Sequence, residues 1–141
     1  MNETTITLTG HLTADVELRF TQSGTAVANF TVATNPRRFD KATGGYVDGE
    51  PLFLRCTAWK QLAENAAESF RRGDRVIVVG ALRTNNYETR EGDKRNSIEL
   101  IVTEMGASVQ FAQVKIAKPA RTGAAAAADA HSGGHDEQPP F

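Results

Sequence analysis

Apolar and polar residues alternate near the start of the chain, where threonines and a histidine separate Ile6, Leu8 and Leu12. The same period of two returns in residues 28–32, after a turn-forming Gln-Ser-Gly stretch. Alternation over this length is typical of a half-buried β-strand. We therefore predict two antiparallel strands in the first 34 residues.

Three further strands are predicted by the same alternation, in residues 52–59, 75–82 and 98–102. Between the third and the fourth, residues 60–72 have apolar positions at helical spacing. Two arginines suit the negative end of this helix, and Gly73 is a typical residue just beyond a helix end. The pattern predicts a single helix after the third strand.

This order of elements is that of an OB-fold barrel, in which closure hides the apolar face and removes exposed strand edges. Gly10 and Gly80 lie inside predicted strands and fit the bends or close backbone approaches of a small barrel. The predicted fold class is therefore all-β, with a five-stranded antiparallel OB-fold barrel, one helix between strands 3 and 4, and a disordered C-terminal tail. We assign the barrel to residues 1–112.

The composition changes beyond this domain. Residues 113–135 hold five consecutive alanines next to glycine and have no amphipathic face to bury, which predicts a flexible linker. Residues 136–141 form an acidic tip that ends in an aromatic residue, a composition that fits a partner's apolar pocket with a basic rim. The candidate partner-binding residues are Asp136, Glu137, Pro139, Pro140 and Phe141. A tail that serves only solubility is the alternative.

The formal net charge of −1 conceals an asymmetry along the chain. All 16 basic residues and 14 of the 17 acidic residues lie in residues 1–121, which gives this part +2, whereas residues 122–141 carry −3. A weakly basic body with an acidic tail is compatible with a nucleic-acid partner, although a charge of +2 is weak evidence by itself.

The placement of aromatic and basic residues is more informative. Binding of single strands without reading of sequence requires aromatic faces that stack on bases and cations that follow the phosphates. Both occur on the non-core side of the third and fourth strands, which carries the candidate DNA-binding residues Phe53, Trp59, Tyr87, Arg55 and Arg83. Arg19 and Arg38, outside these two strands, are further candidates for contacts with phosphates. Burial in the core or contact between subunits is the alternative for the aromatics, and for Trp59 the two interpretations are evenly balanced.

Other classes of protein lack support in the sequence. The single cysteine, Cys56, cannot form an internal disulfide, and no Cys/His cluster has zinc-ligand spacing, so no metal or cofactor is expected. A nuclease would need clustered carboxylates or a nucleophile beside a base, and we find neither, so we expect no enzyme. An OB-fold whose groove serves protein contacts stays open as a rival. The chain has no apolar run of about 18 residues and no signal peptide, which predicts a cytoplasmic protein without membrane contact.

Four stretches resemble the bacterial single-stranded DNA-binding protein family: VANFTVAT at 27–34, DKATG at 40–44, QLAEN at 61–65 and GALRTNNYE at 80–88. The resemblance implies a homotetramer of OB barrels that coats single-stranded DNA at the bacterial nucleoid. It also implies a tail that docks replication, repair and recombination proteins. Phe53, Trp59 and Tyr87 match the family's stacking aromatics, and Phe141 matches its docking phenylalanine.

Two features depart from the family pattern. The aromatic that the family often carries before DKATG is represented by Arg38 and Phe39, and we include Phe39 among the candidate DNA-binding residues. The linker is short for the family and would span only about 25 Å as a flexible coil. The short linker suggests the hypothesis of a specialised paralogue.

Overall fold

The structure of this protein is a computed structural model that describes residues 3–118 of the 141. Within them, eight strands and one helix follow in the order β1 (Thr5–Leu12), β2 (Glu17–Phe20), β3 (Ala26–Thr34), β4 (Arg37–Asp40), β5 (Gly45–Asp48), β6 (Leu52–Trp59), α1 (Lys60–Ser69), β7 (Arg75–Glu88) and β8 (Lys94–Ala107). The five longer strands are the five that the alternation predicts. No helix in the described part of the chain is long and apolar enough to cross a membrane.

The five longer strands close into a barrel. Their order is β1-β7-β8-β6-β3, and β3 pairs with β1 again through the pairs His11–Ala33 and Leu12–Val32. β2 extends the sheet beside β3, and β4 and β5 form a separate hairpin. The predicted OB-fold class, with its helix after the third barrel strand, is confirmed.

One pairing differs from the all-antiparallel expectation. β8 runs parallel to β6, with Arg55 to Thr57 beside Glu99 to Ile101. The reason is topological: β8 forms a hairpin with β7 and then fills the gap between β7 and β6, and its direction there is fixed by the hairpin. Sequence alternation carries no information about this direction.

The core consists of the inward residues of the barrel strands together with one side of α1. Ala63 and Ala66 of the helix are buried, and Leu62 and Phe70 pack against the barrel core. The inward side chains that are almost fully buried are Val32, Cys56, Val76, Val78 and Leu100. Hydrophobic burial at these alternating positions supplies the main driving force for the fold.

Alternation along residues 52–59 places Leu52 on the core face together with Leu54, but the Leu52 side chain is 53% exposed. It is the first residue of β6 and pairs with Thr34, the last residue of β3. At this end of both strands the Leu52 side chain lies outside the enclosed part of the barrel. The alternation of apolar and polar residues therefore extends further along β6 than the burial of its side chains.

The helix ends at Ser69, three residues before the predicted end at Arg72. The Asp74 carboxylate accepts a hydrogen bond from the backbone N–H of Arg71 at 2.7 Å and holds this segment in a turn rather than a helix. Gly73, with a φ of 89°, belongs to that turn and is not the residue that follows the helix. Arg71 nevertheless neutralises the helix end, because its guanidinium donates to the carbonyl oxygens of Ala67 and Glu68.

The Cys56 thiol lies in the core, where burial raises its pKa to about 12 against a smaller opposing effect of the nearby Arg55 charge. A thiol with this pKa stays protonated at neutral pH and is not a nucleophile. Cys56 therefore acts as a small apolar core residue.

Gly10 and Gly80 lie where two strands approach too closely for a side chain. A Cβ atom at Gly10 would lie 2.3 Å from the carbonyl oxygen of Ala33, and one at Gly80 would lie 2.3 Å from that of Ile101. The register of β7 and β8 also shifts beside Gly80. Both glycines therefore allow the backbone contacts that bend the barrel, as the sequence predicts.

We predict that Gly80→Ala lowers the free energy of unfolding by about 1–3 kcal/mol, because the new methyl group must displace backbone atoms of β8. Urea denaturation with a constant slope would measure the change. Gly106→Ala is the matched control, since Gly106 also lies in a barrel strand but has no neighbouring atom within 4 Å of the added Cβ. Equal stability of the two variants would contradict the steric explanation.

Candidate nucleic-acid interface

The side of the barrel that points away from the core carries a continuous surface, which we call the outer face. It comprises the side chains of Arg19 on β2, Asn29 on β3, Phe53, Arg55, Thr57 and Trp59 on β6, Arg83 on β7 and Glu99 on β8. These positions share one face because residues paired across neighbouring strands point to the same side of a sheet. Five of the eight candidate DNA-binding residues lie on this face.

Phe53 and Trp59 are the large aromatics of the outer face. Their side chains are 61% and 43% exposed, and neither belongs to the buried core cluster. Trp59 lies six residue steps along the extended strand from Phe53, which corresponds to about 20 Å. Two exposed rings at this distance can each stack on a different base of one extended strand.

Trp59 occupies the junction between β6 and α1. It is the residue that precedes the helix, and Lys60 directly after it has a φ of 63°, which is unusual for a residue with a side chain. This conformation turns the chain sharply from strand to helix. The turn leaves the indole on the outer face rather than in the apolar stripe of the helix.

Charged side chains cross the outer face between the two aromatics. Glu99 lies on β8 opposite Arg55 on one side and Arg83 on the other. Both arginines are exposed, whereas Glu99 is half-buried. The predicted arginines are thus brought together, and a carboxylate that the sequence did not single out lies between them.

Arg19 reaches the outer face from β2. Its guanidinium donates from Nε and Nη2 to the side-chain oxygen of Asn29, at 3.3 and 3.2 Å, in the amide orientation that satisfies both ends of that side chain. The acceptor for Arg19 is thus a neutral amide. The ion pair found in the described part of the chain, Arg37–Asp48, does not include Arg19. The positive charge of Arg19 is held in place without being cancelled.

Tyr87 lies beyond the barrel, in the hairpin formed by β7 and β8. It pairs with Arg95, and together with Asn86, Lys94 and Asn96 the two residues line a shallow groove. The tyrosine is half exposed. The hairpin therefore presents an aromatic ring next to two cations and one acidic residue, Glu88.

Arg38 and Phe39 lie on a different element, the β4–β5 hairpin. The Phe39 ring contacts Tyr46 edge to face, with 5.6 Å between the ring centroids. Tyr46 is 67% exposed and was missed by the sequence reasoning. The signal was present, because DKATG is a turn and Tyr46 follows it at the position that pairs with Phe39.

Residues 119–141 lie outside the described part of the chain, and with them the predicted tail residues Asp136, Glu137, Pro139, Pro140 and Phe141. Their roles stay predictions. In residues 3–118 no group of three His, Cys, Asp or Glu side chains is arranged to hold a metal ion.

Comparison with known proteins gives consistent results. The model of the "Single-strand binding protein family" matches residues 2–111. The chain is 48% identical over 161 aligned positions to the single-stranded DNA-binding protein of Mycobacterium tuberculosis H37Rv, covering 99% of this chain and 98% of that protein. It is 57% identical to the protein of the same name from Mycolicibacterium smegmatis, covering 86% of this chain and 73% of that one.

A solved structure agrees with these sequence relatives. The crystal structure of the small single-stranded DNA-binding protein from Streptomyces coelicolor superposes with a TM-score of 0.67 at 30% identity. The match covers 77% of this chain and 97% of the other.

Proposed function

This chain belongs to the single-strand binding protein family, and from that premise we propose that its outer face binds single-stranded DNA independently of sequence. The observation that carries the proposal is the exposure of Phe53 and Trp59 on one face with Arg19 and Arg55. Exposed aromatic rings next to cations are the two components that such binding requires.

The energetics fit this function. Stacking on an aromatic ring contributes about 1–3 kcal/mol per base, so Phe53, Trp59 and Tyr87 together supply about 3–9 kcal/mol before ordering costs. Arg19, Arg55 and Arg83 add phosphate contacts whose contribution depends on salt. None of these interactions selects one base over another. The β4–β5 hairpin, with Arg38 and Phe39, offers a further ring and cation for the same strand.

The function that follows is protection rather than chemistry. A protein that coats single strands keeps them accessible for replication, repair or recombination at the bacterial nucleoid, and it needs no cofactor. The buried thiol of Cys56 offers no nucleophile to the outer face.

We assign the recruitment of replication, repair and recombination proteins to the tail tip, residues 136–141. Its support is chemical: two carboxylates, two prolines and a terminal phenylalanine fit the recurring recognition of acidic ends by basic, apolar pockets. The preceding residues, 113–135, would act as the tether.

We expect strong quenching of the single tryptophan, Trp59, when the protein is titrated with oligo-dT, because a stacked base alters the surroundings of the indole. The affinity should fall as salt rises, by about 0.7 log units per log unit of salt for each phosphate neutralised. Salt-dependent binding without quenching would move Trp59 out of the contact. No binding by fluorescence or by a second method would refute the proposal.

Phe53→Ala tests the stacking directly and should weaken binding of oligo-dT by about 1–3 kcal/mol. Leu52→Ala is its matched control, because Leu52 is an exposed apolar neighbour on the same strand that points to the opposite side. Equal losses in the two variants would show that the outer face is not the binding surface.

Deletion of residues 136–141 should abolish binding of partner proteins while leaving DNA affinity unchanged or slightly higher. The physical reason is that an anionic tail competes with phosphates for the basic surface. Pull-down with replication proteins and parallel DNA titration would measure both effects. Weaker DNA binding after the deletion would contradict this role.

We expect the protein to form a homotetramer. The strand β1 supports self-association, because β7 covers one of its edges along Thr5–His11 while β3 reaches only His11 and Leu12 on the other. An unpaired edge is a template for another strand. Light scattering coupled to size-exclusion chromatography should give four times the chain mass of 15.2 kDa. A monomer at micromolar concentration would contradict the assembly.

A further inference from the structure

A chain of hydrogen bonds crosses the outer face through four strands. Asn29 accepts from Arg19 at 3.2 and 3.3 Å, and its amide nitrogen donates to Oγ1 of Thr57 at 3.1 Å. Thr57 Oγ1 in turn donates to the Glu99 carboxylate at 3.2 Å. The side chains come from β2, β3, β6 and β8, which meet only in the folded barrel.

The direction of this chain is set by its last member. A threonine hydroxyl has one proton, and a carboxylate can only accept, so Thr57 must donate to Glu99. Its oxygen is then free to accept from the amide nitrogen of Asn29. The amide oxygen of Asn29 is thereby turned towards Arg19, which has only donors.

The reverse orientation would disrupt the site. If Thr57 donated to the amide oxygen of Asn29, the NH₂ group of Asn29 would face the guanidinium of Arg19, donor against donor. The carboxylate of Glu99 therefore decides, through three hydrogen-bonded links, whether Arg19 has an acceptor. Because the acceptor is neutral, Arg19 keeps its full charge and three of its five N–H donors for another ligand.

We propose that Thr57 is a positioning residue that fixes Arg19 for contact with a phosphate, acting through Asn29 and anchored by Glu99. This inference rests on the proposed function for its ligand. Thr57 is only 9% exposed, which leaves its hydroxyl little access to DNA. An effect of this hydroxyl on DNA binding must therefore pass through its neighbours.

The test compares Thr57→Val, which loses the hydroxyl, with Thr57→Ser, which keeps it. Binding of oligo-dT is measured at several salt concentrations, with Arg19→Gln as the reference. Thr57→Val should weaken binding about fivefold, the effect of about one lost hydrogen bond, and should lower the slope of log affinity against log salt by about 0.7. Thr57→Ser should match the unmodified protein in both.

The double variant Arg19→Gln with Thr57→Val separates positioning from general damage to the fold. It should bind no more weakly than Arg19→Gln alone, because the two changes remove the same contact. Additive losses, or equal behaviour of the valine and serine variants, would overturn the proposal. General destabilisation would reduce the folded fraction without changing the salt slope.

A second readout needs no DNA. The Nε–H proton of Arg19, assigned in NMR spectra by its loss in Arg19→Gln, should exchange with water on the order of fivefold faster in Thr57→Val than in Thr57→Ser. Asn29→Ala breaks the chain of hydrogen bonds at a partly exposed position and should have the same effect on exchange. It replaces the valine variant in this measurement if that variant folds poorly. Unchanged exchange would overturn the positioning role, whereas absence of DNA binding with altered exchange would refute only the proposed function.

Discussion

Closure of the barrel is the constraint on which the rest of the structure depends. The seam between β1 and β3 consists of the pairs His11–Ala33 and Leu12–Val32, and it turns an open sheet into a ring. Two glycines make the necessary approach possible, because Gly10 and Gly80 place bare backbone against the carbonyl groups of neighbouring strands. A closed ring hides one face of every strand from water and leaves the other face continuous. Core and outer surface are therefore two results of the same pairing.

The outer face combines rigidity with a modest charge. Its aromatics project from β6, which pairs with β3 along its whole length and with β8 at its centre, so the rings stand on a well-paired strand. The arginines are arranged around Glu99 rather than in an uninterrupted basic patch. A surface of this kind relies on stacking for much of its affinity and on charge for orientation. The small net charge of the folded part is then no obstacle to DNA binding.

Much of this arrangement could be predicted because it depends on local pattern. Alternation located the five barrel strands, and it placed Phe53 and Trp59 on the side opposite Leu54. Features that depend on register between distant segments escaped prediction, such as the approach of Glu99 to Thr57. The predicted helix end was also wrong, because one hydrogen bond from the backbone N–H of Arg71 to the Asp74 carboxylate outweighs a favourable helical pattern. Single polar contacts decide such boundaries, and composition does not show them.

The parallel pairing of β6 with β8 has a consequence for biosynthesis. β8 is the last strand of the barrel in the sequence, yet it lies in the middle of the outer face between β6 and β7. A growing chain that has reached only β7 lacks the strand that joins these two, so Arg83 of β7 is not yet held beside the aromatics of β6. Pairing over such sequence distances is slow because the loop must close before the contacts form. The outer face is therefore complete only after synthesis has passed residue 107.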